Sequence, residues 1–310
     1  MTLQTTITTP FITPHGNLLE GVTYDGRTDT LYYINIHTGE VFLIPSVSTH
    51  DSTTSLPPPS TSFKVSDTIG VIGLTTATDT LICGVERGIV LLNVVTGTIT
   101  PLVMYPDNNV VDNRQLRSND GSVAPDGAFW VGTMVKNGEI EPLGSMYRLQ
   151  NSKSSLEQLW SQCMIPNGIN WDTTRNILYW TESKEHSVYA FDVQGESYKP
   201  DFTTKRILLH HEGEPDGSCL DSKGNLYVAV WGTGKVVRVS PNDKSIDMEW
   251  HFPCKNVSCV TFGGPLLDQM YVTTATNVDS TDETELPAAV FKVDLSQQGV
   301  KGLPKNLFTL

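Results

Sequence analysis

Four oxygen-bearing side chains recur at one phase of the chain: Glu20, Asn119, Asn167 and Asp216. Each heads a similar stretch: LEGVTYDGRTDTLYYIN from Leu19, NDGSVAPDGAFWVGT from Asn119, PNGINWDTTRNILYWTE from Pro166 and EPDGSCLDSKGNLYVAV from Glu214. Brought together, two carboxylates and two amides make an all-oxygen donor set suited to one hard divalent cation. Carboxylates held that close repel and raise each other's pKa unless a cation intervenes. Calcium, magnesium and manganese match by donor type; zinc and ferrous iron are compatible with weaker binding. Four protein donors leave positions open for water and substrate, as catalysis requires. Any one of these residues, taken singly, is better read as turn chemistry, because Asp or Asn before Gly is common in turns. Only the shared phase of all four favours a metal.

That phase is set by a repeat. An apolar–aromatic strand recurs at Leu31-Tyr32, Phe129-Trp130, Leu178-Tyr179, Leu226-Tyr227 and Met270-Tyr271, with a degraded copy at Leu81. Successive spacings are 50, 48, 49, 48 and 44 residues. The units are rich in β-branched and aromatic residues and broken by Gly, Asp, Asn and Pro, and the fifth reads as four short strands. No helical stretch of useful length follows the strands, which excludes a TIM barrel. The pattern predicts an all-β fold, a six-bladed β-propeller forming one domain over residues 1–310, with a metal site in its central channel. The first strand of each blade lines that channel. Glu20, Asn119, Asn167 and Asp216 lie 11, 10, 11 and 10 residues before their strand markers, so they converge on one axis. Blades 2 and 6 carry Gly70/Val71 and Cys259/Val260 there, which do not ligate a hard ion.

Other segments have plainer expectations. Asp25, Asp172 and Asp221 fall at hairpin turns and read as turn formers. The run 50–62 reads as a flexible surface loop, 107–117 as a pocket-shaping loop, and 276–289 as a solvated acidic loop. Thr5 to Ile12 is expected to pair with the last blade and close the ring.

The formal net charge is −13 and the Lys and Arg residues are scattered, so nucleic acid is not an expected partner. No apolar run approaches the roughly 20 residues of a membrane span. Five cysteines without a Cys-x-x-Cys pair read as reduced, buried thiols. The first residues carry no secretory leader, which places the expected compartment in the cytosol. There is no Gly-x-Ser-x-Gly elbow, His-Glu-x-x-His or P-loop to compete with the metal reading.

The motifs LEGVTYD, RSNDGSVAPDGAFWVGTM, PNGINW, EPDGSCLDSKGNLYVAVWGTGKVVRV and VTFGGPLLDQMYVTTA together resemble the regucalcin (senescence marker protein), gluconolactonase and luciferin-regenerating-enzyme-like family over most of the chain. The resemblance implies a propeller with a divalent cation in its channel and hydrolysis of sugar lactones. It also implies Glu20, Asn167 and Asp216 as metal ligands, Asn119 as a further ligand or a substrate contact, and Arg117 as a contact to sugar hydroxyls. One position departs: relatives carry an acidic substrate contact where this chain has Asn137, and Glu139 or Glu141 could substitute. The expected activity is metal-dependent opening of a sugar lactone to the aldonic acid, with Asp216 as general base facing both ion and substrate. The alternatives are an arylesterase or phosphotriesterase on the same scaffold, and a non-catalytic calcium-binding propeller.

Overall fold

Each repeat folds as an antiparallel sheet whose second strand, carrying the apolar–aromatic marker, is buried along nearly its whole length. Leu31, Phe129, Leu178, Leu226 and Met270 are each fully enclosed. A strand buried on both faces needs a neighbour on each, and the six sheets supply it by packing around one axis. The computed structural model of the chain describes residues 2–50, 58–106 and 116–310. Residues 51–57 and 107–115 fall outside these, and with them most of two expected loops.

Among the described residues five sheets contain four consecutive strands in simple order, and the sixth contains three. The inner strands are Leu19–Asp25, Ile69–Leu74, Leu116–Val123, Pro166–Asp172, Glu214–Leu220 and Asn256–Gly263. The fifth blade follows the expected pattern closely, with further strands Leu226–Trp231, Lys235–Val239 and Ile246–His251. The run around Leu156, the nearest approach to helical periodicity, is the outer strand Leu156–Cys163 of blade 3.

Blades meet through aromatic contacts. Tyr227 of blade 5 packs edge-to-face on Phe262 of blade 6, centroids 4.9 Å apart. Trp130 of blade 3 meets Trp171 of blade 4 in the same way at 5.2 Å. All five cysteines are free and buried, as expected. Asp25, Asp172 and Asp221 do cap the hairpin turns. Asp172 Oδ1 accepts from the Thr174 and Arg175 N–H groups, and Asp221 Oδ1 from those of Lys223 and Asn225.

The ring closes differently from expectation. Of the run Thr5 to Ile12, Phe11 and Ile12 bond the last blade, both donating their N–H to Val290 O. Residues Leu3–Thr6 instead run parallel to Ile246–His251, giving blade 5 a fifth strand. Either pairing covers an open outer edge, which is what a propeller requires. The chain divides its first dozen residues between two such edges.

The C-terminal segment crosses the far mouth of the channel. It bridges Asp221 through Gly302 and Thr75 through Phe308, and Asn306 Nδ2 donates to Val123 O at 2.9 Å. Phe308 is fully buried against Val71, Val123 and Phe129. Phe308→Ala is expected to cost about 3–5 kcal/mol in a denaturant titration, the usual penalty for emptying an aromatic site in a core.

Candidate active site

The four phased residues lie within inner strands, and this corrects the turn reading of the single residues. Every inner strand slips register once against its partner. The slips fall between Glu20 and Thr23, Ser118 and Gly121, Asn167 and Ile169, and Pro215 and Ser218. Blades 2 and 6 slip at the matching place. A bulge re-aims side chains, and here it does so at one level of the channel in each blade. The glycines that follow are needed for close approach. A Cβ on Gly168 would sit 2.3 Å from Ser218 Oγ, and one on Gly217 would sit 2.6 Å from Cys259 Sγ. The Asn-Gly and Asp-Gly pairs mark where neighbouring blades crowd the axis.

Glu20, Asn119, Asn167, Asp216 and Arg117 converge on one cavity of about 230 Å³ at one mouth of the channel. Its walls include Leu18, Ile36, Met134, Ile165 and Trp231, and Glu214 joins the polar set. On the other side of the level of these four residues, residues of all six blades with Lys305 and Asn306 surround a space of about 40 Å³, into which Asp120 faces.

Hydrogen bonds fix the two amides. Asn119 Nδ2 donates to Pro166 O and to Asn167 Oδ1, both at 3.0 Å. Its Oδ1 accepts from Arg117 Nη1 at 2.8 Å. Asn167 Nδ2 donates to Ser183 Oγ at 2.7 Å. Glu182 steadies the start of the Asn167 strand by accepting from the Met164 and Ile165 N–H groups.

The acids are destabilised as charges. Burial raises the Glu20 pKa first, with Asp120 next, against hydrogen bonds from Gly21 N–H (2.7 Å) and Cys259. Asp216 is raised well above the carboxylate range by burial, then by Glu20, Asp120 and Glu214. Burial raises Asp120 too, while the Gly121 N–H (2.6 Å) and Lys305 pull it down. Arg117 is pushed down to about 10 by burial, against the pull of Glu20 and Asp216, and so keeps its charge at neutral pH. Among the described residues no three His, Cys, Asp or Glu side chains form a metal cage by themselves. A cation here would combine two carboxylates with amide oxygen, and buried, mutually repelling carboxylates are the environment such an ion relieves. The residues fit a hard divalent cation.

Glu139 and Glu141 do not join the cavity. Both are exposed between strands Phe129–Val135 and Gly144–Leu149, as is Asn137, and none lines the site. The additional acid at the cavity is Glu214, paired with Lys184 at 2.7 Å. Asp120, Glu214 and Ser183 escape the phase count. Asp120-Gly121 repeats the acid–glycine pairing of Glu20-Gly21 and Asp216-Gly217, a signal that counting from Asn119 passes over.

The fold is that of a known family of β-propellers, and the chain belongs to it. The family model described as "SMP-30/Gluconolactonase/LRE-like region" matches residues 18–276. The chain is 30% identical over 298 residues to the cell growth-regulated gene 1 protein of Candida albicans, covering 88% of this chain and 86% of that one. It is 33% identical over 198 residues to the putative sugar lactone lactonase YvrE of Bacillus subtilis, covering 62% of this chain and 66% of that protein. Among solved structures, a luciferin-regenerating enzyme superposes with a TM-score of 0.81 at 26% identity, covering 95% of this chain and 96% of that one. A calcium-binding regucalcin from Agrobacterium tumefaciens superposes over 100% of both chains with a TM-score of 0.85 at 22% identity.

Proposed function

We propose that this chain is a divalent-cation-dependent hydrolase that opens a sugar lactone to its aldonic acid. The observation that carries the reading is the convergence of Glu20, Asp216, oriented Asn167 and buried Arg117 on one apolar-walled cavity. The family membership and the similarity to a putative sugar lactone lactonase support it. Glu20, Asn167 and Asp216 would hold the cation, with Asn119 bracing Asn167 and Arg117. Calcium, magnesium, manganese, zinc and ferrous iron are the candidates, and the similarity to a calcium-binding regucalcin favours trying calcium first. A bound divalent cation supplies Lewis-acid polarisation of the lactone carbonyl.

The remaining work falls to the chain's own groups. Asp216 takes a proton from water as the water oxygen bonds to the carbonyl carbon. The ring C–O bond then breaks, the ring oxygen takes that proton from Asp216 and leaves as the hydroxyl, and the new carboxylic acid releases its own proton to solvent to give the carboxylate product. Arg117, held by Asn119 Oδ1 and Ser118 O (2.8 Å each), orients substrate oxygens through its fixed fork of donors. Leu18, Ile36, Met134 and Trp231 limit water around the reacting carbonyl. Among the described residues no helix is long and apolar enough to cross a membrane.

Glu214 is the acid placed to accept sugar hydroxyls. Glu214→Gln is expected to raise KM for the preferred lactone about tenfold, with kcat changed by less than about threefold, since a hydrogen bond to a charged group is worth roughly 1.5 kcal/mol. Initial-rate kinetics on the purified variant check this.

The test of the function is proton release from a panel of aldonolactones, phenyl esters and phosphotriesters, with and without a chelator. Chelator-sensitive hydrolysis of at least one aldonolactone is expected. Turnover confined to esters or phosphotriesters, or absent on every substrate with each candidate cation supplied, would overturn the lactonase reading.

A further inference from the structure

Ser183 follows strand Ile177–Glu182 of blade 4 and is 2% exposed. Its hydroxyl has one hydrogen, and that hydrogen goes to Pro215 O at 2.6 Å, a carbonyl that can only accept. Ser183 Oγ therefore has only lone pairs to offer Asn167, 2.7 Å away. The Asn167 atom facing it must be the NH₂ group. The amide oxygen is thereby forced to the other side, toward the cavity and Asn119 Nδ2. Asn119 is oriented by the same kind of anchor, since its Nδ2 faces Pro166 O. Pro166 and Pro215 immediately precede Asn167 and Asp216 in successive blades. In each case a backbone carbonyl next to one blade's ligand sets the face of the preceding blade's amide, directly for Asn119 and through one hydroxyl for Asn167.

An amide presents an acceptor on one side and a donor on the other, at nearly equal size. Rotated by half a turn, Asn167 would direct N–H groups at a cation. We infer that Ser183 is the positioning residue that makes Asn167 an oxygen donor, by committing its only hydrogen to Pro215 and leaving Asn167 no other face to turn inward. The same contact ties Asn167 to the backbone beside Asp216, so the donors of blades 4 and 5 are set relative to one another. This rests on the divalent-cation reading above and adds to it a residue outside the donor set. Groups that orient metal ligands from behind commonly change affinity by 10–100-fold when removed. Because Asn119 still donates to Asn167 Oδ1, the lower end applies here.

Calcium and manganese binding to the metal-free full chain, measured by calorimetry at neutral pH, tests the inference. Ser183→Ala is expected to weaken binding about tenfold. In an Asn167→Asp background both faces of the side chain are carboxylate oxygens, and there the same substitution is expected to change affinity less than about twofold. That difference separates orientation from scaffolding, because a merely structural Ser183 would weaken both backgrounds alike and lower the melting temperature. Should Ser183→Ala melt below the titration temperature, Ser183→Gly, which also removes the hydroxyl, carries the same comparison. Wild-type affinity in Ser183→Ala, or equal weakening in both backgrounds, would overturn the inference and leave the cation reading standing. No binding of any candidate cation by the wild type would overturn both.

Discussion

Asp216→Asn is expected to lower kcat/KM for lactone hydrolysis by about 10³-fold or more while making the metal-free chain more stable than the wild type. The two effects share one cause. The carboxylate is placed where burial, Glu20, Asp120 and Glu214 all oppose its charge, and nothing about folding requires that. An amide of the same shape removes the charge, so the metal-free fold gains; a rise in Tm of about 2–4 °C corresponds to roughly 1–2 kcal/mol in a chain of this size. The same exchange removes the proposed general base, worth about 10²–10⁴-fold, together with a charge that would hold the cation. Initial rates and a thermal melt of the chelated protein read the two halves separately. Unchanged activity would remove Asp216 from the site. A lower melting temperature would mean that its charge is compensated inside the metal-free fold.

The second large effect is on pH dependence. Glu20, Asp120 and Asp216 all have folded-state pKa values above those of the unfolded chain, each chiefly because of burial. Below the unfolded pKa both states are protonated and these groups cost nothing. As pH rises past it, the unfolded chain releases protons that the folded chain retains, so folding stability falls. The loss is complete once pH exceeds the raised folded values. The chelated protein is therefore expected to lose stability from about pH 4 into the neutral range, by several kcal/mol in total. A saturating divalent cation should restore most of it at neutral pH and little at pH 4, where protons compete for the same oxygens. Denaturant titrations across pH, with chelator and with calcium, measure both curves. Parallel curves would show that no cation meets these acids.

Much of this arrangement was legible in the chain. The recurring Leu-Tyr and Phe-Trp markers are the fully buried second strands, and their period is the blade. Asp25, Asp172 and Asp221 behave as turn formers because an Asp side chain can accept the N–H groups that a tight turn leaves open. Glu20, Asn167 and Asp216 meet because equal phase in a ring is equal height on its axis. Asp120 was not legible, because it stands one position beyond the phase shared by the other oxygen donors. Counting in strict phase then names Asn119 alone, while Asn119 and Asp120 face opposite ends of the channel. Glu139 and Glu141 were misplaced for a different reason. Their distance from Met134 along the sequence is short, yet the chain between two strands turns outward there, into solvent. Ser183 is one serine among many, and its role appears only when the carbonyl of Pro215, 32 residues away, is placed beside it. The division of the N-terminal residues between blades 5 and 6 likewise depends on which outer edge lies within reach.

We propose that the channel mouth holds one divalent cation on Glu20, Asn167 and Asp216. Calorimetric titration of calcium into the chelator-treated chain at neutral pH, repeated in buffers of different ionisation enthalpy, tests it most directly. One cation per chain is expected, with a buffer-dependent heat showing that protons leave the buried acids on binding, and with no such signal from Asp216→Asn. No saturable binding of calcium or of any other candidate cation, or an isotherm that Asp216→Asn leaves unchanged, would contradict it.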